Sequence, residues 1–121
     1  MDTNKDIGDW GEEQAITHLQ SLGYTIQEQN WKWNNTELDI IAKQNDILVF
    51  VEVKTRKSAR YGYPEEFVDN AQQEQIKRAA EEYIYRVNHD WEIRFDIISI
   101  LYNRKGIFDI FHIKDAFFDE W

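Results

Sequence analysis

Two short stretches carry acids and a lysine at a spacing that can do chemistry. In ILVFVEVKTRK, residues 47–57, Glu52 and Lys54 stand one residue apart at the end of an apolar run. In TELDIIA, residues 36–42, Glu37 and Asp39 have the same spacing. Both stretches read as strands, and side chains two apart on a strand share a face. Lys43-Gln44-Asn45-Asp46, polar and turn-forming, joins them. A two-residue turn at Asn45-Asp46 sets Asp39 opposite Glu52 and Glu37 opposite Lys54. A four-residue loop centred there gives the same pairing, and a turn at Gln44-Asn45 shifts it by two but keeps the shared face. Only an odd-length loop or a bulge separates the pairs.

The favoured register therefore gathers three carboxylates around one ammonium. Like charges directly across a strand pair repel, and Lys54 alone leaves negative charge over. A divalent ion would neutralise the remainder. With oxygen ligands and no cysteine in the chain, Mg²⁺ or Mn²⁺ is the chemical match. Leu48 and Phe50 share the face of Glu52, while Ile47, Val49, Val51 and Val53 line the other, as in a central strand whose tip carries a site. Acid–lysine pairs on neighbouring strands also arise on solvated faces. The apolar flanks of Glu52 weigh against that reading, because an ionised acid there needs a partner.

Just beyond this strand, Lys54, Arg56, Lys57 and Arg60 form a basic cluster in a chain of net charge −9 and pI about 4.7. The overall balance argues against a non-specific nucleic-acid binder. A small cationic site can still act locally, with poor long-range steering.

The elements that would position these residues follow from periodicity. Trp10, Ala15, Ile16, Leu19 and Leu22 give a helical face from about Asp9 to Leu22, stopped by Gly23. Strands are predicted at residues 24–33, 36–42 and 47–54. A long helix is predicted from near Pro64, suited to a first helical position, to about Arg86, with Val68, Ala71, Gln75, Ile76, Ala79, Tyr83 and Val87 in its stripe. Two strands, 92–101 and 107–113, close the chain around a turn at Gly106. The expected fold is α/β: one domain, 1–121, with a central mixed sheet flanked by helices in the order α-β-β-β-α-β-β.

With 42% hydrophobic residues the chain can bury a core. It lacks cysteine, a signal-peptide core and a run of about 18 apolar residues, so a cytoplasmic protein with no membrane partner is expected. His18, His89 and His112 show no metal-ligand spacing, and no glycine loop for a nucleotide cofactor is present. Trp31 and Trp33 suit core packing better than base stacking. Phe117, Phe118 and Trp121 form an aromatic tail that either docks on its own domain or joins a homodimer contact.

In order and spacing the chain resembles the YraN-like family, bacterial proteins of uncharacterised function with a restriction-endonuclease-like fold. The resemblance runs from Gly8, Gly11 and Glu12 through Gly23-Tyr24, Asn30, TELDIIA and VFVEVKTR. It continues through Tyr61-Gly62, Pro64-Glu65, Val68, the Ala80 and Tyr83 region, and Arg94-Phe95-Asp96. It implies a metal-dependent nuclease site similar to that of archaeal Holliday-junction resolvases, acting on DNA, including branched or structured forms. On that pattern Asp39 and Glu52 match metal-binding acids, and Lys54 the lysine beside the attacking water. Glu12 matches a helical acid that adds a metal or water contact, and Glu37 an accessory acid. Thr36 stands where the family usually has glycine, which a strand accepts. Gln72 stands where a lysine is frequent, removing a phosphate contact.

Under that reading Lys54 orients water or steadies developing negative charge, since neighbouring acids oppose the neutral amine a base requires. Arg56, Lys57 and Arg60 then either grip phosphates or form a solvated basic loop that balances the acidic chain. The competing expectation is a binding module that keeps the nuclease fold, does no chemistry, and recognises nucleic acid or a protein.

Overall fold

The computed structural model describes residues 3–57 and 68–117. The expectations placed on Arg60, Tyr61-Gly62, Pro64-Glu65, Phe118 and Trp121 lie outside the described residues. Helix α1 (Asn4–Ser21) leads into strands β1 (Thr25–Trp33), β2 (Thr36–Gln44) and β3 (Ile47–Arg56). Helix α2 (Asn70–Val87) and strands β4 (Ile93–Tyr102) and β5 (Phe108–Ile113) follow. This is the α-β-β-β-α-β-β order expected from periodicity. The sheet runs β1-β2-β3-β4-β5; β3 and β4 are parallel, joined by the α2 crossover, and the other neighbours are antiparallel.

Both helices begin where a side chain caps them rather than where the apolar stripe suggests. The first starts at Asn4, not near Asp9, because the Thr3 hydroxyl accepts the Asp6 N–H at 3.0 Å. The second starts at Asn70, not near Pro64: Asp69, extended at φ −77°, ψ 173°, accepts the Gln72 N–H at 2.8 Å. Val68 therefore precedes the helix, though it is buried in the core beneath it. Gly23, at φ +89°, turns the chain out of α1 as glycine alone does without strain.

Side chains of the central strands alternate between two apolar layers. Leu48, Phe50, Phe95 and Ile97 pack with Ile76, Ala79, Ala80 and Tyr83 of α2. Val49, Val51, Ile98 and Ile100 pack with Ala15 and Leu19 of α1. Phe117 stacks on Phe95 at 5.6 Å in the α2-side layer, so the described part of the aromatic tail docks on its own domain. Trp31 packs edge-on against Tyr83 at 5.3 Å, and both Trp31 and Trp33 lean on the core.

One break in this lattice matters for function. The Asn45-Asp46 turn pairs Gln44 with Ile47, and the β2–β3 ladder runs only to Ile40 opposite Val51. Beyond that point β2 stays with β1 as far as Thr36 opposite Trp33. Over the same stretch β3 stays with β4 as far as Arg56 opposite Leu101. The sheet forks. On β2, Leu38 joins the α2-side layer and Ile40 the α1-side layer, so strict alternation is broken at Asp39. On β1, Asn30 adopts φ +51° at the corresponding step, left unpaired between Gln29–Ile40 and Trp31–Leu38.

A candidate metal-dependent site in the sheet fork

Asp39 and Glu52 meet at the root of the fork. Val53 N–H donates to Asp39 Oδ2 at 2.9 Å, so the Asp39 side chain replaces the backbone partner that the ladder no longer supplies. Glu52 is only 6% exposed. Burial pushes its carboxyl well above the ordinary range, the Asp39 charge adds to the rise, and Lys54 offsets part of it. Burial raises Asp39 as well, opposed by the Val53 N–H and by Lys54. Burial disfavours the charged form of both acids, and Lys54 offsets only part of that.

Glu12 approaches the same point from α1. Its helix sits close on β3: Gly11 is buried, and a Cβ there would overlap Thr55 Oγ1. Glu12 is lifted to about 7, first by burial and then by Asp39, while a hydrogen bond with Asn30 lowers it. Sequence reasoning gave Asn30 no role; its backbone conformation and its contact with Glu12 give it one. Of these acids Glu12 lines a groove of about 530 Å³, walled also by Gly8, Val53, Lys54, Arg56 and Lys57.

Asp39, Glu52 and Lys54 thus gather as the strand spacing anticipated, and Glu12, expected only from the family resemblance, joins them from α1. Glu37 does not take its expected place opposite Lys54. The ladder has ended before it, and Glu37 is exposed, across from Lys32 on β1 with an ion pair at 3.8 Å. Its charge still adds to the rise of Asp39 and Glu12. Arg56 and Lys57 stand at the end of β3, half-buried and exposed respectively. A separate cleft of about 560 Å³ is lined by Lys43, Asp46, Asn88 and Trp91, at the other end of the β2–β3 pair from the fork.

The donor set can be tested against a divalent ion. Among the described residues no three His, Cys, Asp or Glu side chains form a ready-made metal cage. Mg²⁺ rarely needs one: it keeps several waters and is held by one or two carboxylates together with substrate phosphate. The buried Glu52 and half-buried Asp39, both raised by burial with one lysine offsetting it, fit that mode, and Glu12 lines the groove beside them.

A second polar cluster, which spacing could not reveal, lies on the α1 side. Asp96, fully buried, takes two hydrogen bonds from Arg94, both at 2.8 Å, one from the Asp115 N–H at 3.0 Å, and contacts His112 Nε2 at 2.8 Å. Arg94 also donates to the Tyr24 hydroxyl at 2.7 Å. His18 Nε2 and His112 Nδ1 approach to 3.4 Å, so residues 94 positions apart meet. Burial pushes Asp96 up, but the His112 and Arg94 hydrogen bonds outweigh it and hold the carboxyl below its usual range. This network ties β4, β5 and α1 to Tyr24, the residue just before β1. Among the described residues no helix is long and apolar enough to cross a membrane.

Comparison with known proteins gives family-level matches over nearly the whole chain. Residues 11–100 match the model of an uncharacterised protein family, UPF0102. A UPF0102 protein of Flavobacterium psychrophilum is 44% identical over 118 residues, 98% of each chain. One from Christiangramia forsetii is 41% identical over the same shares. One from Dictyoglomus thermophilum is 43% identical over 116 residues, 94% of this chain and 98% of its own. The resemblance to YraN-like proteins is consistent with these matches.

Proposed function

We propose, for a chain that belongs to the uncharacterised protein family UPF0102, that it hydrolyses phosphodiester bonds in DNA with a divalent ion, Mg²⁺ or Mn²⁺, held by Asp39 and Glu52. One observation carries the reading: the buried Glu52 and half-buried Asp39 carboxyls meet where β2 and β3 part, both raised above their ordinary range by burial, with one lysine beside them. A cluster of that charge gains by taking up a cation, and stability alone would have favoured apolar residues there.

The bound ion would supply Lewis acidity toward the scissile phosphate. Lys54 follows Glu52 on the same strand face, where its ammonium can steady charge on the phosphoryl oxygens. Glu12, at about 7, can accept a proton from an attacking water or return one to the departing oxygen near neutral pH. Val53 N–H fixes Asp39, so that carboxylate needs little reorganisation to bind.

The net charge of −9 supports a second reading, a nuclease-fold module that binds a partner without chemistry. Calorimetric titration of Mn²⁺ into the parent, Asp39→Ala and Glu52→Gln proteins, with cleavage of linear and branched DNA scored in parallel, separates the two. The nuclease reading expects ion binding and cleavage in the parent and neither in the variants. A parent that binds no ion and cuts no DNA, indistinguishable from Asp39→Ala, rejects it.

A further inference from the structure

The groove beside the acids does not end at β3. It continues into a second hollow of about 390 Å³, and the two share Ile7, Lys57 and Tyr102 in their walls. The second hollow adds Trp10, Asn103, Arg104 and Gly106. Because β3 and β4 are parallel, their carboxyl ends coincide, Arg56 beside Leu101. Segments far apart in sequence therefore bring their cations to one rim. Lys54, Arg56, Lys57, Arg104 and Lys105, five of the 14 basic residues, lie on these two strand ends. Among the described lining residues of both hollows the one acid is Glu12, in a chain with 23 acids. Tyr102 is half-buried and held edge-on by Trp10 at 6.0 Å, and Trp10 is in turn braced on Phe108 at 5.0 Å.

We infer that an unpaired DNA strand runs from the acidic fork along the carboxyl ends of β3 and β4, its phosphates on Lys57 and Arg104 and a base against Tyr102. Open ends of parallel strands are where such sheets take ligands. A short cationic rim interleaved with a braced aromatic ring suits a single strand, whose bases are free to stack. A duplex presents one charge per ~1.7 Å of axis and a broad face, and the acidic remainder of this surface would repel it. The inference rests on the nuclease reading and adds to it the substrate form and its path: an unpaired segment leading into the fork.

The test is fluorescence anisotropy of a labelled twelve-nucleotide oligo(dT), with the oligo(dT)·oligo(dA) duplex as comparison, at low salt in EDTA so that cleavage does not intervene. The expected result is tighter binding of the single strand than of the duplex. Arg104→Ala should weaken it and reduce the salt slope by about 0.7, the value for one phosphate on a single strand. Tyr102→Ala should weaken binding about fivefold or more, while Tyr102→Phe, which keeps the ring against Trp10, should bind as the parent does. Preference for the duplex, or an Arg104→Ala protein with unchanged affinity and salt slope, overturns the inference. Arg104 is exposed in a turn, so this variant carries the test if Tyr102→Ala disturbs packing. Binding measured without ions is independent of cleavage, so loss of either result leaves the other to be read alone.

Discussion

The Asp39 carboxylate stands in for a strand: it accepts the Val53 N–H at 2.9 Å at the step where the β2–β3 ladder has ended. An uninterrupted ladder would set Val53 opposite Leu38. Here Leu38 has turned into the α2-side layer and the side chain one residue along closes the bond. One group thus opens the fork and satisfies the donor that opening it exposes.

Two substitutions at Asp39 should therefore differ in stability while agreeing in function. Asparagine keeps an oxygen for Val53 N–H and removes a charge from a crowded buried site, so Asp39→Asn should be at least as stable as the parent without metal. Alanine leaves the N–H unpaired, and Asp39→Ala should unfold about 1–3 kcal/mol more easily than Asp39→Asn. Urea denaturation in EDTA measures the gap. Equal midpoints for the two variants would show that this hydrogen bond does not hold the fork.

The proton on Glu12 gives a pH signature of definite sign. Its carboxyl moves from 4.5 in the open chain to about 7 in the folded one, so the native state binds more protons between those values. Stability linked to this group is full below about 4.5, falls as pH rises toward 7 and is level above. Glu12→Gln cannot titrate there. The stability of the parent relative to Glu12→Gln, measured in metal-free buffer, should decline across that window. Saturating Mg²⁺ should flatten the decline, since an ion favours the ionised acids. A difference that is constant with pH would mean that neither burial nor Asp39 raises Glu12.

Much of this architecture is legible in sequence because it is local. Alternation in ILVFVEVK, the Asn45-Asp46 turn and Gly23 fix strands, register and helix end within a few residues of themselves. The helix starts were misplaced because one capping side chain, Thr3 or Asp69, decides them, and the apolar stripe says nothing of it. Glu37 lies away from its expected place opposite Lys54 because that register runs straight through a fork, where Asn30 is at positive φ and the Asp39 side chain takes a backbone role. The Asp96 network was invisible because Arg94, His112 and His18 come from three elements and Tyr24 from the connection before β1, with no shared spacing. The position of Tyr102 and Arg104 beside Lys57 follows only once β3 and β4 are known to be parallel.

That network makes a prediction separate from catalysis. Arg94 is 14% exposed in its side chain and Asp96 fully buried, so Asp96→Ala strands a guanidinium inside the fold. The cost should be about 3–5 kcal/mol, read by denaturation. Cleavage per folded molecule should be unchanged, because Asp96 does not face the fork. Asp96 is held below its usual value, so its contribution is present above about 3.8 and is lost as pH falls through its folded pKa. An Asp96→Ala protein as stable as the parent would remove this cluster from the account of the fold.

Gly11 links the packing of α1 to the acids. A methyl group there would overlap Thr55 Oγ1 and lie 3.1 Å from Thr55 Cβ, so Gly11→Ala must push the helix off the end of β3. Alanine is otherwise the better helix former, which makes the sign of the effect informative. The variant should lose about 1–3 kcal/mol, the usual cost of overpacking, and should lose activity as Glu12 moves from Asp39. Adding Thr55→Ala removes Oγ1 and Cγ2 and should restore part of both, giving a favourable coupling in a double-mutant cycle. A Gly11→Ala protein more stable than the parent, with its activity intact, would show that α1 is not held against Thr55 and that Glu12 owes its position to something else.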